Sequence, residues 1–298
     1  MYGGMTTLDD AVQRDQALSD LDWRQLPVGA VSDVFAAPSG GLARVAMGSG
    51  ERGRVVLVPG ATGSKEDFTL MLPLLADAGY RVEAFDLAGQ YESYRAGPER
   101  LSPPRRHYDY DLFVDDLVAV LEDGATPAHV LGYSFAGLVA QVALARRSEL
   151  FASLTLLSTP PATGNVFRGI KRIGRLTSLA TPHRGATLML WGIRNNLNGV
   201  PPRRLEFVRA RFALTRRESV DDMVGLMMHM PDVVDRLRDA GVPLLSAVGS
   251  HDLWPTAQHR AYAVRIGAGF AVYETGHSPC ETAPHQVVRD MLDLFATA

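Results

Sequence analysis

The chain has 298 residues, of which 46% are apolar and 21% are charged, and its net charge at pH 7 is −3. A chain of this composition can bury a large core, and it contains no apolar run as long as a membrane span. The near-neutral charge argues against nucleic-acid binding, and membrane insertion is not expected. The single cysteine, Cys280, excludes an internal disulfide and a cysteine-rich metal site.

The amino-terminal segment, residues 1–26, is predicted to be a helical extension of the main domain. Apolar residues recur at near-helical spacing between Leu8 and Leu21, which indicates an amphipathic helix that packs on the main domain or forms a homodimer. The segment is rich in aspartate and lacks the basic-then-apolar order of a secretory signal, so a cytoplasmic location is expected.

The segments that follow alternate between extended and helical patterns. Residues 31–47 form two extended segments around a Pro-Ser-Gly-Gly turn, which is typical of an antiparallel hairpin. Six further apolar runs are predicted to be strands: Val55–Val58, Val82–Phe85, Val130–Leu131, Leu154–Leu157, Leu244–Val248 and Phe270–Tyr273. The alternation predicts an α/β fold with a mostly parallel, eight-stranded sheet and helices on both faces.

The segment Gly132-Tyr133-Ser134-Phe135-Ala136-Gly137 follows one of these strands and precedes a helical stretch. This order predicts a strand, a sharp turn and a helix, with Ser134 at the apex and small residues where strand and helix approach each other. The turn exposes the serine hydroxyl and directs the Phe135 amide towards it, which suits a nucleophile beside an oxyanion donor. Taken alone, the pattern is also compatible with an ordinary strand-to-helix turn capped by a serine.

The pattern resembles the nucleophile elbow of the α/β-hydrolase family, and the resemblance extends from Val31 to the end of the chain. It implies an α/β-hydrolase core formed by residues 27–158 and 243–298. Residues 159–242 have little strand character and three proline-marked breaks, so they are predicted to be a helical cap inserted after strand 6.

A serine nucleophile needs a base and a carboxylate that orients the base. Asp252 follows the strand Leu244–Val248, and His277 follows the last strand, so both are expected at carboxyl ends of strands. The order Ser134, Asp252, His277 is that of the α/β-hydrolase family. Other residues could compete for these roles: His251 and His285 as the base, with His285 expected to be exposed, and Glu274 and Glu281 as the acid.

The oxyanion hole is predicted to use the amides of Phe135 and Ala61, the latter in the glycine-containing loop after Val55–Val58. Many members of the family have histidine at the position of Pro59, so Ala61, rather than Thr62, is a prediction from the loop alone. A phosphate-binding loop is the alternative, but no Gly-Lys-Ser/Thr sequence follows.

The predicted cap is strongly basic: residues 165–217 contain twelve arginine or lysine residues and one acid, Glu206. This charge could attract an anionic substrate, or the side chains could point to water or pair with the acidic core. The cap also contains apolar residues that could line a substrate pocket or form the cap's own core: Phe167, Leu188, Met189, Leu190, Trp191, Met227, Met228 and Met230.

The sequence therefore predicts a serine hydrolase that cleaves carboxylic esters of small to medium apolar substrates without a metal or organic cofactor. Its expected partner is a small ester or thioester. Thioesters, lactones and carbon–carbon bonds could be cleaved by the same triad, and a non-catalytic receptor with this fold is a further alternative. Dehalogenase and epoxide hydrolase chemistry is disfavoured because those enzymes place an aspartate where this chain has Ser134.

Overall fold

The computed structural model describes residues 7–170 and 200–298. Its centre is an eight-stranded sheet with the strand order β1-β2-β4-β3-β5-β6-β7-β8. The strands are β1 (Val31–Ala37), β2 (Gly40–Met47), β3 (Arg54–Val58), β4 (Arg81–Phe85), β5 (Ala128–Tyr133), β6 (Phe151–Leu157), β7 (Leu244–Gly249) and β8 (Gly269–Tyr273). The first two strands pair antiparallel to their neighbours and the rest are parallel, which confirms the predicted fold class.

Helices cover both faces of the sheet, as expected for strands that are apolar on both sides. The helices of the described residues are α1 (Thr7–Gln16), α2 (Met71–Asp77), α3 (Tyr110–Glu122), α4 (Phe135–Arg146), α5 (Pro202–Leu214), α6 (Arg217–Met227), α7 (Val234–Asp239), α8 (Thr256–Ile266), α9 (Pro279–Thr282) and α10 (Pro284–Phe295). One apolar layer packs α3, α4 and α8 on the sheet, and the opposite layer packs α2 and α10. Every residue of β3 and β5 is buried between these layers.

The amino-terminal helix packs on the main domain through Asp15. Its carboxylate accepts hydrogen bonds from the backbone amides of His285 and Gln286 and from the His285 ring, so it caps the start of α10. The expectation that His285 is exposed is therefore wrong, because the contact with Asp15 leaves its side chain only 20% exposed. The helix also ends at Gln16, before the predicted Leu21.

The described parts of the predicted cap, residues 159–170 and 200–242 (hereafter the cap), include α5, α6 and α7. Met227 and Met230 are buried in the apolar layer that also contains Phe135, so these two methionines pack against the core of the main domain. Several predicted cap residues lie outside the described residues: Lys171, Arg172, Arg175, Pro182, Arg184, Leu188, Met189, Leu190, Trp191 and Arg194. Among the residues described, no helix is long and apolar enough to cross a membrane.

Candidate active site

Ser134 lies at the junction of β5 and α4 with an unusual backbone conformation. Its φ is 52° and its ψ is −116°, a region that non-glycine residues rarely adopt. The turn is held by a hydrogen bond from the Ser134 amide to the carbonyl of Leu157 at 2.8 Å. Strain of this kind persists where the surrounding structure enforces it, and here it lifts the hydroxyl off the end of the strand.

The small residues around Ser134 are required by close contacts. A Cβ added to Gly132 would lie 2.6 Å from the Cα of Gly137, and a Cβ added to Gly137 would lie 1.8 Å from Oγ1 of Thr159. Neither position can accept a larger residue without movement of the backbone that carries Ser134. The glycines are therefore explained by the approach of strand, helix and the segment after β6.

Backbone hydrogen bonds link the loop after β7 to the loop after β8, and this brings Asp252 and His277 together. The amide of Ser250 donates to the carbonyl of Tyr273 at 2.7 Å, and the amide of His251 donates to the carbonyl of Thr275 at 2.9 Å. A Cβ on Gly249 would lie 2.0 Å from the carbonyl oxygen of Gly276, so only glycine permits this approach.

The three predicted side chains form a continuous chain of contacts. Nε2 of His277 lies 3.1 Å from Oγ of Ser134, and Nδ1 of His277 lies 2.8 Å from Oδ2 of Asp252. The Asp252 side chain is fully buried, whereas that of His277 is 20% exposed. This is the geometry in which a histidine can take a proton from a hydroxyl while a carboxylate orients the ring.

The surroundings of Asp252 keep it ionised. Burial favours the neutral carboxyl, but the nearby charge of His277 and the polar contacts from His259, His277 and the Trp254 amide outweigh it. The pKa of Asp252 is therefore well below its ordinary value. An ionised carboxylate at this position stabilises a protonated His277 during a proton transfer.

The loop after β3 lies against Ser134. A Cβ added to Gly60 would be 3.0 Å from the Cβ of Ser134, so the backbone of this loop reaches the serine. The amide of Thr62 already donates to Oε1 of Gln90 at 3.0 Å. In the part of the chain that the structure describes, the amides of Ala61 and Phe135 donate no hydrogen bond to another backbone group. These two amides remain the candidates for an oxyanion hole.

Gln90 was not singled out by the sequence, although it joins this loop to the cap. Its amide nitrogen donates to Oγ of Ser219 on α6 at 2.7 Å, and its amide oxygen accepts from Thr62. It lies in the turn after β4 that begins with Asp86, a buried residue whose carboxylate accepts from the amides of Lys65 and Glu92. This turn therefore supports the loop that carries Ala61.

A buried ionic cluster connects the cap to two loops of the site. Asp67 accepts hydrogen bonds from Arg204 and Arg211 of α5, each at 2.5 Å, and Arg204 also contacts Glu281 of α9 at 2.6 Å. Burial favours the neutral form of Asp67, but Arg211 and Arg204 are so close that the pKa of Asp67 falls below its ordinary value. These arginines therefore pair with acids of the core instead of adding charge to the surface.

Two further cap arginines are also paired. Arg216 contacts Glu99 at 2.6 Å, and Arg217 contacts Asp221 at 2.7 Å. Within the described residues, much of the cap's positive charge is thus balanced locally, as the alternative of pairing with acids predicted.

The competing residues lie in other contacts. His251 pairs with Glu274 at 3.0 Å on the surface, and Glu281 belongs to the ionic cluster with Arg204. Sequence reasoning missed His259, whose ring faces Asp252 from α8 with Nε2 3.5 Å from Oδ1. Its spacing in the helix is that of any core residue, so the sequence carried no signal for it. In the described part of the chain, no group of three or more metal-ligating side chains is gathered as a metal site.

Comparison with known proteins agrees with this architecture. A sequence model described as "Alpha/beta hydrolase family" matches residues 55–290, which is most of the chain and includes Ser134, Asp252 and His277. The chain belongs to the α/β-hydrolase family. Solved structures of other α/β hydrolases are similar to it over nearly their whole length, at low sequence identity.

Three of these structures illustrate the range. A putative aryl esterase from Burkholderia cenocepacia has a TM-score of 0.70 and 20% identity, with 90% of this chain and 100% of that one covered. An epoxide hydrolase from Vigna radiata has a TM-score of 0.70 and 13% identity, covering 91% and 99%. A meta-cleavage product hydrolase from Pseudomonas fluorescens has a TM-score of 0.66 and 18% identity, covering 89% and 97%. At these identities the likeness establishes the α/β-hydrolase fold and leaves the reaction open.

Proposed function

We propose that this α/β hydrolase is a serine esterase that cleaves carboxylic esters of small to medium apolar substrates. The observation that carries the proposal is the contact chain in which Ser134 lies 3.1 Å from His277 and His277 lies 2.8 Å from Asp252. A serine aligned in this way is activated by the histidine and gains a nucleophilicity that an isolated hydroxyl lacks.

The reaction follows from the positions of these groups. Oγ of Ser134 attacks the ester carbonyl while its proton passes to Nε2 of His277, and the amides of Ala61 and Phe135 stabilise the resulting oxyanion. The tetrahedral intermediate collapses as His277 returns the proton to the leaving alkoxide. Water, deprotonated by His277, then attacks the acyl-enzyme and releases the carboxylic acid and free Ser134.

Two observations support an apolar, uncharged substrate over an anionic one. Arg204 and Arg211, the cap arginines that contact the loop after β3, have Asp67 and Glu281 as partners. The cap is joined to the core around the site by apolar residues as well, including Phe135 and Met227. Among the described residues, these two paired arginines therefore offer little electrostatic attraction to an anionic group.

The identity of the nucleophile separates this proposal from other reactions of the family. Ser134 supports acyl transfer, whereas epoxide hydrolysis and dehalogenation in related enzymes use an aspartate at the elbow. Thioesters, lactones and carbon–carbon bonds share the acyl-transfer steps and are tested by the same assay with different substrates. A non-catalytic receptor would have no need for an aligned base and acid beside the serine.

The test is hydrolysis of p-nitrophenyl esters from acetate to octanoate, compared with acyl thioesters of the same lengths. We expect saturable hydrolysis of the esters, with a burst of p-nitrophenol if deacylation is the slower step. A Ser134→Ala variant should lose this activity, while a Ser158→Ala variant is the matched control because Ser158 is a buried serine at the end of the neighbouring strand. Turnover by Ser134→Ala at the wild-type rate would overturn the proposal.

A further inference from the structure

A second histidine faces the acid of the triad. His259 on α8 is 1% exposed, and its Nε2 lies 3.5 Å from Oδ1 of Asp252, the carboxylate oxygen that His277 does not contact. Among the described residues this nitrogen has no closer hydrogen-bond partner. A buried nitrogen that faces the Asp252 carboxylate without a hydrogen bond of ordinary length requires an explanation, because buried polar atoms are costly unless they are partnered.

The carboxylate of Asp252 is held from three directions. Oδ2 accepts from Nδ1 of His277 at 2.8 Å, while Oδ1 accepts from the Trp254 amide at 3.1 Å and faces His259. The indole of Trp254 packs edge-on against the His259 ring, with centroids 6.5 Å apart and planes at 89°. This packing fixes the imidazole against the carboxylate, and α8 supplies the rigid support.

We propose that His259 is a positioning residue that fixes the Asp252 carboxylate and partly balances its charge, and thereby sets the pH range in which His277 acts as a base. This inference rests on the proposed serine-hydrolase function. The distance of 3.5 Å exceeds the usual range of about 2.7–3.2 Å for an N–H···O bond. The contact therefore acts mainly through the dipole of the imidazole ring, whose effect is stronger in a buried site than in water.

The direction of the pH effect follows from the charges around the triad. Among the residues that the structure describes, the polar and titratable groups that face Asp252 and His277 are His259 from α8, Ser134 from the elbow and Tyr133 from the end of β5. Without the nitrogen of His259, the negative charge of Asp252 is less balanced and stabilises a protonated His277 more strongly. His277 then becomes available as a base only at higher pH, so the acidic limb of the pH–rate profile moves to higher pH.

The experiment measures the second-order rate of labelling by a fluorophosphonate probe between pH 5 and 9, which needs no knowledge of the substrate. His259→Phe keeps a buried ring but removes the nitrogen, whereas His259→Gln keeps an N–H near the same position. We expect His259→Phe to label about three- to eightfold more slowly at pH 6, with the acidic limb of its pH–rate profile raised by about 0.5–1 pH unit. His259→Gln should recover most of the rate.

His129→Phe is the matched control. His129 is also a buried histidine, but it lies near the start of β5 and stacks on Phe295, at the opposite end of the strand from Ser134. This variant should keep the wild-type pH profile even if it is less stable. A His259→Phe variant with the wild-type labelling rate and the wild-type acidic limb of the pH–rate profile would overturn the inference. So would a His259→Phe variant that labels slowly with an unshifted acidic limb, if His259→Gln does not restore the rate. A wild-type protein that fails to label would instead refute the proposed function.

Discussion

Removal of Asp67 should destabilise the protein far more than removal of an acid from a surface ion pair. Asp67 and the side chain of Arg204 are each 2% exposed, and Arg211 is 7% exposed. In Asp67→Ala, Arg204 retains Glu281, whereas the polar partner that Arg211 retains among the described residues is Oγ of Ser64 at 3.2 Å. One guanidinium would be left buried without a counter-charge, which costs about 3–5 kcal/mol.

The measurement is the free energy of unfolding from urea denaturation, followed by circular dichroism at pH 7. Glu99→Ala is the matched control, because it removes the partner of Arg216 in a pair whose side chains are 29% and 49% exposed. That change should cost less than about 1 kcal/mol. Adding Arg211→Met to Asp67→Ala should recover part of the loss, since it removes the unbalanced charge. Equal losses of unfolding free energy in Asp67→Ala and Glu99→Ala would contradict the expected cost of a buried arginine without a counter-charge.

Three further results are expected. Burial lowers the pKa of His129 from 6.5 to about 4, so the free energy of unfolding should be unaffected by this group above pH 6.5 and should fall by about 3 kcal/mol as the pH falls towards 4. His129→Gln should flatten this part of the pH–stability curve, and an identical curve would contradict the assignment. Gly137→Ala would place a Cβ 1.8 Å from Oγ1 of Thr159, so it should lower the free energy of unfolding by about 1–3 kcal/mol and with it the melting temperature, and it should also lower the rate of ester hydrolysis. Unchanged values would show that the backbone around Ser134 adjusts to the added Cβ without cost. Asp252→Asn should reduce kcat at least about 100-fold with little change in KM, and a variant with near-normal turnover would remove Asp252 from the mechanism.

The sheet could be predicted from the sequence because its strands are buried on both faces and therefore appear as continuous apolar runs. β3 and β7 begin and end within one residue of the predicted segments Val55–Val58 and Leu244–Val248. β5 is longer than the predicted Val130–Leu131, since His129, Gly132 and Tyr133 are buried in the sheet although they are not aliphatic. Apolar periodicity alone does not include such residues.

The contacts of the candidate site were predictable only in part. Ser134, Asp252 and His277 each follow a strand, and the parallel topology brings the ends of those strands to one edge. His259, Gln90 and the ionic cluster of Asp67 depend instead on how α8, the turn after β4 and α5 dock in three dimensions. The sequence shows that an arginine is charged, but it does not show with which carboxylate the arginine forms an ion pair.

The proposal that Ser134 is the nucleophile is tested most directly by locating a covalent adduct. The folded protein is treated with a fluorophosphonate at pH 8, digested and examined by mass spectrometry, in parallel with a sample unfolded in urea. We expect one phosphonylated residue, Ser134, in the folded sample and none in the unfolded sample, because the hydroxyl is reactive only beside His277. An adduct on another residue, or a folded protein that remains unmodified, would contradict it.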